Sequence, residues 1–244
     1  MDNTMYVALS RQMTLRRELD IVANNLANVD TNGFKVESAM VRTETSDRAR
    51  MVDGPRRLSF VIDDGVVRDF RQAALTQTGG TFDLAIDGQG FFSVQTAKGE
   101  RYTRDGRFTL AADGRLTTQA GDPVLGEGGE ITVDPGLGPV SISVDGVVSQ
   151  NGESVGKISL VAFDDLSGLA KDGDNLFRNT SNLQPQPASS ARVRQGMLEG
   201  SNVDSILQVT RLIEISRAYE SLAKTIENSA ELSRRSVERL GRVA

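Results

Sequence analysis

Few residues in this chain are equipped for chemistry. Its 244 residues include no Cys and no His, which removes thiol nucleophiles, disulfides, Cys/His metal sites and the imidazole base of a serine triad. Carboxylates and glycines remain. Asp63-Asp64 and Asp164-Asp165 are adjacent acidic pairs, but glycoside hydrolysis depends on a defined separation of two carboxyl groups in space, which adjacency in sequence does not set. Lys171-Asp172-Gly173-Asp174-Asn175 has the opening of a calcium loop without a Glu at the required spacing before Pro185; a turn is the simpler reading. Gly88-Gln89-Gly90 lacks the third glycine and the following helix of a dinucleotide loop and reads as a hairpin turn. No catalytic, cofactor-binding or metal-binding residue emerges, so the chain is expected not to be an enzyme and to need no cofactor.

Charge narrows the partners. With 28 Lys and Arg against 33 Asp and Glu, the net charge is -5, and no basic field exists to attract nucleic acid or an anionic membrane. No apolar run approaches the ~20 residues of a membrane span, and Met1-Asp2-Asn3-Thr4 lacks the basic, then apolar, start of a cleavable signal. The absence of Cys suits the cytosol, and suits equally a protein that crosses a membrane unfolded and matures in an oxidising space. Aromatic residues make up 5% of the chain and there are 24 Gly, which predicts an aliphatic core and many turns.

The elements divide into an α+β arrangement. From Asn3 to Ala27 there is no Gly or Pro, and Met5, Ala8, Gln12, Leu15, Leu19, Val22, Leu26 and Val29 recur at alternating steps of four and three, a heptad stripe on a long helix. Asn28, Asp30, Asn32 and Gly33 end it. We assign residues 1–31 to this helix and 32–71, with mixed charges and the short runs Leu58–Ile62 and Val66-Val67, to an extended connector. Residues 72–200 alternate with period two, as at Phe82, Leu84 and Ile86, or Val140, Ile142 and Val144, and are punctuated by Asp87-Gly88, Asp105-Gly106, Asp113-Gly114, Asp145-Gly146, Asn151-Gly152 and Asp172-Gly173. That is a central antiparallel β-rich domain. Asp204 then sits where it can cap a second helix free of Gly and Pro from Val203 to Leu240, within a segment 201–244 that pairs with the first. Leu212, Ile215, Tyr219, Leu222 and Ile226 form its stripe, and its Arg-rich end at Arg234, Arg235, Arg239 and Arg242 reads as a solvated face.

Two striped helices at opposite ends of one chain need a partner. They can pack on their own domain, or join other copies in a coiled-coil-like inner bundle. Burying each large aliphatic residue yields ~1.5 to 3 kcal/mol against ~1 to 2 kcal/mol of ordering cost per residue, so a lone helical pair is marginal. Bundling of copies is therefore favoured, with Leu15, Leu19, Val22, Leu26, Leu212, Ile215, Tyr219, Leu222 and Ile226 as the expected subunit interface. Asn24, Asn25 and Asn28 either cap the first helix toward solvent or set register between subunits. Two other readings stay open on these grounds: an adhesin-like β domain on a coiled-coil stalk, and a carboxylate hydrolase with helical dimerisation arms.

Three segments carry a more specific signal. Ala23-Asn24-Asn25-Leu26-Ala27-Asn28-Val29-Asp30-Thr31-Asn32-Gly33-Phe34-Lys35 closely resembles the N-terminal motif of the flagellar rod and hook axial proteins, with Asp30 where that family commonly has Asn. Gln195–Asp204 and Arg217-Ala218-Tyr219-Glu220 are similar to the family's C-terminal block, and Asp87–Phe92 and Arg101–Phe108 to its β hairpins. The resemblance implies a structural subunit of the flagellar basal body, exported unfolded through the flagellar type III apparatus without a cleaved signal and assembled in the periplasm. It also implies partners: other copies of itself and neighbouring proximal and distal rod proteins, with no nucleic acid and no membrane insertion. The terminal helices would line an inner tube and the β domain would lie outside it.

Overall fold

The computed structural model describes residues 2–45, 59–181 and 183–241. Met1, Leu58 and Arg242 lie outside the described residues, as do the side chains of residues 60–64, Ser233 and residues 236–240. The observed class is α+β, with helices α1 (Asp2–Ala27) and α2 (Ser205–Gly241) flanking an antiparallel β-rich region. Both helices fill the stretches free of Gly and Pro. The expected cap is present: the Asp204 carboxylate accepts from the Leu207 N–H at 3.0 Å, and its carbonyl accepts from the Gln208 N–H at 3.0 Å.

The chain forms two compact units. The first contains α1, α2 and the antiparallel strands β1 (Glu37–Thr45) and β2 (Ser59–Arg68). These strands occupy the segment read from sequence as extended connector. Their register shifts at Met40/Val41, a bulge that the short apolar runs do not announce.

The second unit comprises residues 28–36 and 69–203. Its main sheet has six antiparallel strands in the order Leu169–Lys171, Leu176–Asn179, Gly99–Thr103, Phe91–Thr96, Leu160–Ala162 and Gln186–Pro187. The Asx-Gly pairs act as anticipated at most turns. Asn151 and Gly152 both hold positive φ, 52° and 84°, and join two paired strands as a two-residue hairpin loop. Gly106 differs: its φ is not positive, and it is glycine because a Cβ there would run into the Leu84 carbonyl. The alternation also fails in places, since Leu84, Ala85 and Ile86 are all buried, as in a strand covered on both faces.

The core is aliphatic only in part. One cluster gathers Leu84, Ile86, Val94, Leu116, Val124 and Val193 around an edge-to-face pair of Phe92 and Phe108. The other is aromatic: Phe91 meets Phe70, Phe163 and Phe177 edge-on, with centroids 5.6, 6.1 and 6.0 Å apart, and Tyr102 meets Phe163 at 4.9 Å. Low aromatic content therefore did not mean an aromatic-free core, because the few rings are concentrated where edge-to-face packing adds to burial.

Where the chain enters and leaves this unit, a buried ionic cluster ties the two crossings together. The Lys35 ammonium lies 2.6 Å from Glu199 Oε1, and Arg104 Nη1 lies 3.0 Å from Glu199 Oε2; the Lys35 and Glu199 side chains are 0% exposed. Further hydrogen bonds surround the three groups. Lys35 also donates to the Arg71 carbonyl at 2.8 Å, Arg104 to the Gly88 carbonyl at 2.8 Å, and the Ala73 N–H donates to Glu199 Oε1 at 2.9 Å. Beside it the Gly33 N–H donates to the Glu199 carbonyl at 2.8 Å, and Asn202 accepts from the Val36 N–H and donates to the Asp69 carbonyl, each at 2.7 Å. Gly33 is required twice over, by its φ of 69° and by the Arg104 backbone that a Cβ would strike. Burial pulls the Lys35 and Arg104 pKa values down, and the Glu199 carboxylate opposes that pull.

Removing one member of such a cluster leaves an uncompensated buried charge, at a cost of about 3 to 5 kcal/mol. Glu199→Gln, which strands two cations, should lower the urea midpoint of the full chain more than Lys35→Met, which leaves the Arg104–Glu199 pair intact; equal shifts would contradict this account. A second expectation concerns alkaline pH. Burial, with a smaller contribution from Glu100, pushes the Tyr102 hydroxyl up to about 12. A pKa raised on folding stabilises fully below the unfolded value and is lost as pH climbs toward the folded one. This contribution therefore declines between the model-compound value of 10.0 and about 12, whereas the lowered Lys35 acts in the opposite sense. Urea unfolding titrated over that range should show a steeper loss in the parent protein than in Tyr102→Phe.

Candidate assembly surface

In the first unit α1 and α2 run antiparallel, with Asn25 opposite Gln208 and Glu18, Ile21 and Val22 facing Arg211, Glu214 and Ile215 across a shared cleft. Each helix places one stripe in this seam. On α1, Thr14, Leu15, Ile21, Val22 and Asn25 are buried, Leu19 and Leu26 half-buried and Asn24 exposed. On α2, Leu212, Ile215, Tyr219, Leu222 and Ile226 are all half-buried, and Gln208, which begins the same heptad series, is buried. Asn28 lies beyond α1, where its carbonyl accepts from the Thr31 N–H at 3.2 Å and its side chain from the Thr31 hydroxyl at 3.1 Å. It shapes the turn that stops the helix.

Asn25 has an intrachain task. Its Oδ1 accepts from the Glu37 N–H at 2.9 Å, and its Nδ2 donates to the Glu37 carbonyl at 2.7 Å, with Gln208 Oε1 at 3.4 Å. The amide thus pairs with the backbone of Glu37 much as a neighbouring strand residue would, fixing the start of β1 against the end of α1. Gln208 and Ile21 were not anticipated. Gln208 was legible four residues before Leu212 in the heptad; Ile21 was not, because it lies off the stripe, beside both β1 and α2.

Outside the seam both helices carry further apolar side chains. Tyr6, Leu9 and Met13 on α1 are 61, 48 and 67% exposed, and Ile206, Val209 and Ile213 on α2 are 79, 41 and 47% exposed. Their spacing, at i, i+3 and i+7, follows one face of each helix. Burying each such side chain against a partner is worth ~1.5 to 3 kcal/mol.

Of the residues weighed for hydrolytic or metal chemistry, Asp165, Asp172 and Asn175 are engaged in structural contacts. The Asp165 carboxylate accepts from the Ser167 N–H and hydroxyl, both at 2.8 Å, closing a turn. Asp172 pairs with Arg101 at 2.7 Å, a contact that holds its carboxyl below the usual range, and Asn175 donates to the Asn32 carbonyl at 2.6 Å. The side chains of Asp63 and Asp64 lie outside the described residues.

Comparison with known proteins agrees with this helical framework. Three protein-family models match: "Flagella basal body rod protein" over residues 5–35, "Flagellar hook protein FlgE/F/G D1 domain" over 85–150, and "Flagellar basal body rod FlgEFG protein C-terminal" over 194–239. The chain is 62% identical to a flagellar basal-body rod protein FlgF of Caulobacter vibrioides, covering 100% of both. It is 35% identical to a FlgF of Mesorhizobium japonicum over 99% of each chain, and 32% identical to a FlgG of Bacillus subtilis over 94% of this chain and 96% of the relative. With its whole length matched by such relatives and both its ends and its β region by the family models, the chain belongs to the flagellar basal-body rod protein family.

Proposed function

We propose that this chain is a non-catalytic structural subunit of the flagellar rod, of the FlgF type, and that it joins its neighbours through α1 and α2. The observation that carries this reading is the apolar face that both helices keep outside their mutual seam. The subunit interface combines that face with the half-buried seam residues Leu19, Leu26, Leu212, Ile215, Tyr219, Leu222 and Ile226. Leu15, Val22 and Asn25 support it from beneath, and Asn24 and Asn28 flank it. The neighbours are further copies and the adjoining proximal and distal rod proteins. Delivery uses the flagellar type III export apparatus, without a cleaved signal, and assembly takes place in the periplasm. The 62% identity over the full length to one FlgF, against 32% to a FlgG, favours the former position in the rod.

The mechanics follow from symmetry and packing. A contact between unlike faces of related subunits, repeated by a rotation and a rise, builds an open helix instead of a closed ring. Helices interdigitating near the axis at the density of a protein interior form a poorly compressible shaft, which is what torque transmission requires.

Leu19→Asp and Leu222→Asp should each abolish incorporation into basal bodies and swimming in soft agar. Ile213→Asp, at an exposed position, should do the same while leaving the urea midpoint of the free chain within about 0.5 kcal/mol of the parent value. Normal motility in all three variants would refute the assembly role.

A further inference from the structure

The chain contains two Asn-Gly pairs, Asn32-Gly33 and Asn151-Gly152. Both sit in turns, with the glycine φ positive at 69° and 84°. An Asn side-chain amide followed by glycine is prone to ring closure, because glycine puts no Cβ in the way of its own main-chain nitrogen. By sequence the two pairs are alike, and the fold separates them.

At Asn32-Gly33 the nucleophile is withheld. The Gly33 N–H donates to the Glu199 carbonyl at 2.8 Å, and the Asn32 carbonyl accepts from Asn175 Nδ2 at 2.6 Å. Gly33 is buried against the Arg104 backbone. Attack by this nitrogen first requires breaking a buried hydrogen bond and opening the turn. Asn151-Gly152 is the reverse case. Both residues are exposed, and no heavy atom beyond the chain neighbours lies within 4 Å of where a Gly152 Cβ would stand. Neither the Gly152 N–H nor the Asn151 side-chain amide has a hydrogen-bond partner among the described residues.

We propose that Asn151 is a self-reacting modification site, which deamidates in the folded protein with Gly152 as its nucleophile. The Gly152 main-chain nitrogen attacks Asn151 Cγ. The new N–Cγ bond forms as Cγ–Nδ2 breaks, and ammonia leaves with the proton that the glycine nitrogen gives up. Water then opens the five-membered imide at one carbonyl or the other, leaving aspartate or isoaspartate. Nothing is oxidised or reduced, and water is the one co-reactant. Closing the ring needs rotation at the Asn151–Gly152 link, which an exposed loop tip with no packed neighbour permits.

The consequence reaches beyond the turn. The isoaspartyl product runs the main chain through the former side chain and lengthens it by one methylene. A two-residue loop joining the paired residues Gln150 and Glu153 has no slack for that. Gln150 passes the disturbance on: its buried amide donates to the Asp134 and Gly138 carbonyls at 2.6 and 3.1 Å and accepts from the Asp134 N–H at 3.2 Å. Conversion therefore loosens the 134–138 loop. The site lies wholly within the β unit and does not rest on the assembly role.

The test uses the purified full chain, held folded at mildly alkaline pH beside a sample in concentrated urea, with peptide mass spectrometry following both asparagines. In the folded chain Asn151 should convert at least about tenfold faster than Asn32, the protection expected from the buried Gly33 hydrogen bond. In urea the two should convert at similar rates. Equal rates in the folded chain, or an Asn151 that reacts only in urea, overturn the site. A ratio that persists in urea means that neighbouring residues and not the fold protect Asn32, and overturns the inference as well. In the converted chain, hydrogen exchange in the 134–138 loop should be faster than in fresh protein; unchanged exchange there overturns the coupling through Gln150.

Discussion

The β unit is held shut by one carboxylate. Glu199 sits between two cations in a site without solvent, and each charge on its own would be costly to bury there. Together with the hydrogen bonds from Ala73 and to Arg71 and Gly88, the arrangement leaves no ionised group of the three without a partner. Such a cluster has a single satisfied geometry, so it sets register where hydrophobic packing alone would tolerate slippage. Residues from the inbound segment, a hairpin and the outbound strand must all be in place before it closes. The aromatic cluster shields it, with the Arg104 guanidinium 5.4 Å from the centre of the Phe91 ring.

The helical unit obeys a different logic. Its seam is only half sealed: α1 buries several residues, whereas α2 buries little beyond Gln208. Polar groups do the positioning, since the Asn25 amide is satisfied by both backbone groups of Glu37 and so fixes one end of the helical pair against β1. Tyr6, Leu9 and Met13 on α1 and Ile206, Val209 and Ile213 on α2 stay exposed at helical spacing. Helical stability in proteins comes chiefly from packing of an apolar face, and here part of that face is left uncovered.

The two units differ in how far they are closed. Satisfied buried charge and edge-to-face rings give the β unit an interior of its own. The helical unit leaves apolar side chains exposed on both α1 and α2.

The sequence by itself determined the class of the protein, its two long helices, their cap at Asp204 and most of its turns, because these depend on short-range rules: heptad spacing, absence of Gly and Pro, and the positive φ that Asx-Gly pairs accept. It also carried the family resemblance, through motifs containing Asn25, Lys35, Arg104 and Glu199. It did not disclose what those residues do. Lys35, Arg104 and Glu199 look like ordinary surface charges in a chain that is one quarter charged, and only the return of the chain to its starting point places them in one dry site. The pairing of β1 with β2, the aromatic cluster and the burial of Ile21 likewise arise from contacts between segments far apart in sequence, which local periodicity does not encode.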